Sequence, residues 1–290
     1  MIRDGSLSNS VCLLAFGNLG ESAITSLSTI YSQFENIRFC ICSDEAGKKW
    51  ILSNTPNEKL GSLCFHDPEG FALKRLGLDT SGNNEYSQFG KERFIKLTTF
   101  KWYLIREVLS IHEEARGALF TDLDVIWFKN PFMEDLEESS TRIFAQDDTP
   151  KDSKFIHLCS GIMYFPNTEY SIKLLGELFS EQLDANVDGN LIPDEPILNK
   201  WFMKTGQNPT HLSLLDQHKY IIGHRYFHFF LKRKALRKEV VCFHLNYVIG
   251  EVRKNRRAKA LASRMKDGGA WTFYAAMDFV EVMLRRLLTR

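Results

Sequence analysis

Between Gly117 and Phe132 the chain reads Gly-Ala-Leu-Phe-Thr-Asp-Leu-Asp-Val-Ile-Trp-Phe-Lys-Asn-Pro-Phe, an almost unbroken apolar run that holds two aspartates and closes on an Asn130-Pro131 turn. A stretch this apolar has no polar face to turn to water, so it predicts a strand covered on both sides, as in the parallel sheet of an α/β protein. Residues two apart on a strand share a face, which predicts Asp122 and Asp124 side by side at its carboxyl end. Like charges that close make each other harder to ionise, and a divalent cation is the usual remedy. The carboxyl ends of such strands are also where open α/β sheets bind ligands. Decoration of an exposed strand end is the plainer alternative, but carboxylates set among this many apolar side chains are uncommon unless paired or metal-bound.

The flanking sequence alternates in the same sense. Val11 to Phe16 reads as a strand, and Ile24, Leu27, Tyr31 and Phe34 follow at helical spacing. Arg38 to Ser43 predicts a second strand, a short helix surrounds Trp50, and Leu63 to His66 predicts a third strand. This rhythm implies a parallel, doubly wound sheet. Glu69 to Gly90 is polar and glycine-containing and reads as a loop, after which Phe94, Leu97, Leu104 and Val108 predict one long helix. Downstream, Arg142 to Gln146 reads as a strand and Phe155 to Phe165 as a strand region interrupted at Ser160-Gly161. Asn167 or Thr168 can cap a helix carrying Ile172, Leu175, Leu178 and Phe179, and Pro193-Asp-Glu-Pro196 opens another. The basic, aromatic stretch Arg225 to Lys238 reads as a solvated face, and Phe273, Met277, Val280, Leu284 and Leu287 form the apolar side of a last helix.

With 37 basic and 36 acidic residues in 290, charge balance points away from nucleic acid or a membrane surface as the main partner. The six cysteines, Cys12, Cys40, Cys42, Cys64, Cys159 and Cys242, show neither zinc spacing nor a disulfide framework and read as buried thiols of a reducing compartment. The apolar run Val11 to Phe16 is too short for a signal-peptide core or a membrane span, which gives a cytoplasmic expectation, with a clipped lumenal domain as the alternative.

A second cluster of reactive side chains lies in Val240-Val-Cys-Phe-His-Leu-Asn-Tyr-Val-Ile-Gly-Glu-Val-Arg-Lys254. A strand here would deliver His244 and Asn246 on one face, with Gly250 and Lys254 following. An imidazole added to two carboxylates makes a mixed N/O set suited to manganese or magnesium, with positions open for phosphate oxygens. Lys254, or its neighbours Arg253 and Arg256, could neutralise those phosphates. By itself a histidine ending a strand is more often a structural hydrogen-bond partner. Lys101 shares a stripe with Leu97 and Leu104, so its ammonium could meet an anion in a cleft, or its stem could pack while the charge reaches water.

These pieces resemble, in order, the motifs of the nucleotide-diphospho-sugar transferase family, glycosyltransferases of the GT-A fold. Leu119-Phe-Thr-Asp-Leu-Asp-Val-Ile-Trp-Phe-Lys-Asn-Pro-Phe132 resembles the D-x-D signature, and Ser160-Gly-Ile-Met-Tyr-Phe its Asn-Ser-Gly strand. Asp194-Glu195 with Asn199 resembles an Asp-Gln followed by Asn, and His244-Leu-Asn-Tyr with Gly250 and Lys254 its His-x-Asn ending. The resemblance implies a single GT-A-type domain over 1–290: a Rossmann-like mixed sheet flanked by helices, a nucleotide-binding half near 10–132, an acceptor and sugar half near 133–255, and a C-terminal helical extension over 256–290 docked on it. It implies that Asp122 contacts ribose or metal, that Asp124 is the main ligand of Mn2+ or Mg2+, and that His244 completes the protein ligands. Lys254 would hold the diphosphate, with Asn246 and Gly250 in the same nucleotide-binding set. Ala15, Phe16 and Gly17 would meet the base, unless they are simply a strand-to-helix turn, and Lys101 would face the donor. The donor is a nucleotide-diphospho-sugar, UDP favoured over GDP, and the implied outcome is retention of anomeric configuration.

A carboxylate near the anomeric carbon can stabilise an oxocarbenium-like state or deprotonate an acceptor. Asp194 is the candidate, with Glu195 beside it; the plainer role for Asp194 is to cap the helix after Pro193. Cys159 and Glu195 depart from the family's Asn and Gln. Two other functions fit some of these residues. A haloacid-dehalogenase-like phosphatase would use Asp122 as nucleophile, Asp124 as general acid and Asp147-Asp148 for metal, but Val125-Ile126 stand where it needs a threonine. A sugar-nucleotide or glycan-binding module would keep the fold without turnover.

Overall fold

The computed structural model describes residues 9–17, 19–78, 91–136, 141–150, 152–205, 210–223, 239–246 and 251–267, with side chains to 262 in the last segment. Its strands are β1 (Ser10–Ala15), β2 (Arg38–Ser43), β3 (Leu63–His66), β4 (Gly117–Thr121), β5 (Val125–Trp127), β6 (Ile143–Asp147), β7 (Leu158–Pro166), β8 (Leu212–Leu215), β9 (Tyr220–Ile222) and β10 (Cys242–His244). The helices are α1 (Glu21–Gln33), α2 (Glu45–Ser53), α3 (Gly70–Leu76), α4 (Glu92–Thr98), α5 (Phe100–Ile111), α6 (Glu169–Val187), α7 (Asp194–Lys204) and α8 (Glu251–Asp267). Contacts divide the chain into two compact units: Met1–Leu19, Glu35–Asp122 and Asp135–Asp216 form one, and Gly20–Phe34, Leu123–Glu134 and Gln217–Arg290 the other. No helix among the described residues is long and apolar enough to cross a membrane.

The first unit is built on a seven-stranded sheet in the order β3-β2-β1-β4-β7-β6-β8. β3, β2, β1 and β4 form the expected parallel core, and β7 runs antiparallel to both β4 and β6, so the sheet is mixed, as the family resemblance implies. α5 packs on β1, β2 and β4 through Phe100, Leu104, Ile105 and Val108, which recur at three- and four-residue intervals and are fully buried. Each such side chain contributes about 1.5–3 kcal/mol of burial. The one long helix expected from this stripe is two, α4 and α5, because the Thr99 N–H bonds Lys96 O in a tight turn between them. Part of the expected 69–90 loop is α3, whose N-terminal N–H groups are accepted by the Glu69 carboxylate and whose end is set by Gly77 at φ 62°.

β7 runs without a break through Ser160-Gly161 and is buried throughout, contrary to the expected interruption. What the Ser-Gly pair marks is a register shift: Ala145 pairs with Met163 but Gln146 with Cys159, so residues 160–162 bulge off β6. A bulge bends its strand and re-aims the side chains it carries.

The D-x-D run differs most from expectation. β4 ends at Thr121 and β5 starts at Val125 in a different, three-stranded sheet of order β5-β10-β9, so Asp122 and Asp124 lie on a turn rather than on one strand face. The apolar run looks continuous because it supplies two buried strands, one to each sheet. Asp122 N–H still bonds Gly161 O, whereas the Asp124 carbonyl accepts from Leu245 N–H.

In the second unit β10 pairs antiparallel with β5 and parallel with β9. α1 lies along the free edge of β5, where Ser26 donates to Val125 O at 2.5 Å and Trp127 N–H donates to the Thr29 hydroxyl at 3.1 Å. Helix hydroxyls thereby satisfy an edge strand that would otherwise bury unpaired polar groups. α8 packs against α1, and the Glu251 carboxylate accepts from both Ser22 N–H and Ser22 Oγ at the positive N-terminus of α1. A Cβ at Gly20 would overlap that carboxylate. The basic stretch 225–238, Gly250 and the last apolar helix expected around 273–287 lie outside the described residues.

Candidate active site

In the first unit the reactive groups gather around Lys101. α5 carries it on its buried stripe, so the residue is only 2% exposed, and of its two readings the one in which the charge reaches water is ruled out. Its Nζ donates to Ser160 O at 2.9 Å and to Asp194, stands 3.7 Å from Asp122 Oδ1, and lies 4.4 Å from the centre of the Phe120 ring. Ser160 Oγ donates to Asp194 Oδ2 at 2.7 Å. Burial alone would push the lysine pKa down. The Asp122 and Asp194 charges outweigh it, and the ammonium is held above its ordinary value. Asp194 is the first residue of α7, and Pro193 at the cap position makes no side-chain bond, so Asp194 faces Lys101 and Ser160 instead of capping. Sequence reasoning placed Ser160 in a family motif but gave it no role, and read the Ser-Gly pair as an interruption when it is the bulge that places the hydroxyl.

Glu195 lies in a second group of the same unit, where Asp148, Cys159 and Glu195 offer ligand atoms within 4.8 Å of one another. Asn199, one turn on, bonds both Leu158 N–H and Leu158 O and ties α7 to the start of β7. The two departures from the family pattern are thus neighbours.

The Ala15-Phe16-Gly17 turn is held from behind. Gly17 has φ 71°, and its N–H donates to both oxygens of buried Asp44, at 2.9 and 3.1 Å. Asp44 also caps α2 through Gly47 N–H at 2.7 Å, and Arg93 stands 3.7 Å from it. The sequence does not single out Asp44: its only local signal is that of a cap residue before α2, and its grip on Gly17, 27 residues away, is a tertiary fact.

In the second unit Asp124, His244 and Lys254 meet. Asp124 Oδ2 is 2.7 Å from Lys254 Nζ, and Oδ1 is 3.1 Å from Nε2 of His244, itself 3% exposed. Burial is the largest single influence on Asp124 and opposes its charge. Lys254, followed by His244, outweighs it and holds the carboxyl well below the usual carboxylate range. Oδ1 is nonetheless buried with no hydrogen-bond partner among the described residues. Two donors on one cation at roughly 2.1 Å and near right angles stand about 3 Å apart, the spacing of Oδ1 and Nε2. A carboxylate oxygen left unsatisfied beside an imidazole nitrogen therefore fits a divalent ion. Asn246 lies beyond the end of β10 rather than on its face, and its Oδ1 accepts from Gly223 N–H at 2.7 Å.

The arrangement of strands and helices is that of GT-A glycosyltransferases. Matching solved structures include the galactosyltransferase LgtC in complex with donor and acceptor sugar analogues (TM-score 0.55, 14% identity, 88% of this chain and 95% of that one). Mouse xyloside xylosyltransferase 1 in its apo form also matches (TM-score 0.53, 14% identity, 83% and 98%). Residues 57–257 match the family profile described as nucleotide-diphospho-sugar transferase, and the chain belongs to that family. Among curated proteins it is similar to the UDP-D-xylose:L-fucose alpha-1,3-D-xylosyltransferase of Arabidopsis thaliana, 28% identical over 201 residues, 63% of this chain and 51% of that protein. The chain spans about half the length of the curated relatives it matches. Neither family nor fold supports the phosphatase alternative.

Proposed function

We propose that the protein is a metal-dependent glycosyltransferase that takes its sugar from a nucleotide-diphosphate donor, a UDP-sugar in preference to a GDP-sugar. The observation that carries this reading is the buried, unsatisfied Asp124 Oδ1 at 3.1 Å from His244 Nε2, with Lys254 on the other oxygen of the same carboxylate. Asp124 and His244 would hold Mn2+ or Mg2+, and Asp122, two positions earlier in the chain, would supply a further carboxylate. When bound, the ion supplies Lewis-acid stabilisation of the departing diphosphate. Lys254 adds a fixed positive charge for the same oxygens. Ala15 to Gly17, fixed by Asp44, would receive the base. Asp194, held ready by Lys101 and Ser160, would orient the sugar and stabilise positive charge on its ring, with Glu195 next to it in α7. Retention of configuration is part of the proposal, and the names of the Arabidopsis relatives make UDP-xylose the first donor to try.

Isothermal titration of UDP and GDP, each with and without manganese, tests it on wild type and on Asp124→Ala. Manganese-dependent binding of UDP that the substitution removes is the expected result. Equal binding with and without the ion, or binding that survives Asp124→Ala, would overturn the metal–diphosphate site.

A further inference from the structure

We propose that Cys64 is a peroxide-reactive thiol whose oxidised form is captured by Cys40 as a disulfide bond within the sheet. The three parallel strands β1, β2 and β3 place Cys12, Cys40 and Cys64 opposite one another in register, so the sulfurs form a row that ends at the edge strand. Cys12 and Cys40 are wholly buried, while Cys64 at the end of the row is half-buried. In-register neighbours have Cα atoms about 5 Å apart, inside the 4.4–6.8 Å span of natural disulfides. An edge strand, bonded on one side alone, can shift to bring the sulfurs together.

The surroundings of Cys64 set it apart from the other five thiols. His66 Nε2 lies 3.6 Å from its sulfur, two residues along the same strand. Cys40, its in-register neighbour on β2, does more than His66 and His112 to pull the Cys64 pKa down to about 5 against the opposing effect of partial burial. Cys40, in return, is pushed up, as burial alone does for Cys12 and Cys242. A partly exposed thiolate beside an imidazole, with a second thiol behind it, is the arrangement in which oxidation is fast and reversible.

The chemistry balances with hydrogen peroxide as the oxidant. The Cys64 thiolate attacks one peroxide oxygen, the O–O bond breaks, and the departing hydroxide takes a proton to leave as water, so Cys64 becomes a sulfenic acid. The Cys40 sulfur then attacks the Cys64 sulfur, the S–O bond breaks, and the hydroxide leaves with the Cys40 proton as a second water. Two thiols are oxidised by two electrons and one peroxide is reduced to two waters.

The full chain is treated with hydrogen peroxide, its remaining thiols are alkylated in denaturant, and the peptides are mapped by mass spectrometry. A Cys40–Cys64 linked peptide that forms ahead of any change at Cys12, Cys42, Cys159 or Cys242 is expected. In Cys40→Ala the same treatment should halt at a Cys64 sulfenic acid trapped by dimedone. Early dimedone labelling of the wild type tests the same step without any substitution. Iodoacetamide alkylation of native protein adds a pH profile. Cys64 should change rate less than threefold between pH 6 and pH 8, where an ordinary thiol of pKa near 8.5 changes about 80-fold. An ordinary profile at Cys64, or oxidation that spreads over the six cysteines without a Cys40–Cys64 link, would overturn the proposal.

Discussion

Lys101 shows what a single buried charge commits a structure to. Its ammonium is out of water and is satisfied by Asp194, the Ser160 carbonyl and the more distant Asp122. Removing one partner of such a group leaves the others charged and unpaired, so Lys101→Met should destabilise the protein by about 3–5 kcal/mol in urea unfolding. The pH dependence has a definite sign. The folded pKa of Lys101 is raised, so its contribution is fully present below the unfolded value of about 10.4 and is lost as pH rises through the folded value. The difference between wild type and Lys101→Met should therefore be level from pH 7 to 9 and shrink above about pH 10.4. Much of this chemistry was visible in the sequence by residue type and spacing: Asp122, Asp124, His244, Lys254 and Asp194 each sit in one of two close groups. The pairing was not visible. Asp194 could be read as a catalytic carboxylate or a cap, and Lys101 as facing an anion or reaching water, but that they face each other was hidden because their meeting joins α5 to the start of α7, 93 residues apart.

At the scale of elements, strands read best where they are short, buried and bounded by polar residues, as at β2 and β3, whose limits match expectation. Reading failed where one apolar run served two sheets, because burial on both faces says nothing about which neighbour a strand pairs with. Gly47 carries no local mark of its role and has the look of an ordinary weak point in a helix. There, Gly→Ala would normally add about 1 kcal/mol. In α2 the sign should reverse, because a Cβ at Gly47 would overlap the Ala15 carbonyl and push the helix off the end of β1. Gly47→Ala should lower the melting temperature, whereas Gly61→Ala, with open space around its Cβ position, should not lower it by steric overlap. Asp44→Ala should act on the same junction by releasing Gly17 and uncapping α2 together, at a cost of about 3 kcal/mol in urea unfolding.

For the whole chain, alternation of strand and helix was enough to indicate an α/β fold, and ordered motifs were enough to indicate the family. The grouping of α1 and β5 with the C-terminal segment was not legible, since those segments lie far apart in sequence and carry no local mark of shared membership. That second unit holds Asp124, His244 and Lys254, so a ligand bound there should report on its folding. A ligand that binds only the folded chain stabilises it by about 2.7 kcal/mol at 100 times its dissociation constant, or roughly 5 °C or more in melting temperature. UDP with manganese should produce a shift of that order, EDTA should abolish it, and manganese alone should give a smaller shift that His244→Ala removes. A UDP shift that persists in EDTA would mean that the diphosphate is held by Lys254 and its basic neighbours without the ion, because an electrostatic site needs no chelatable ligand to work.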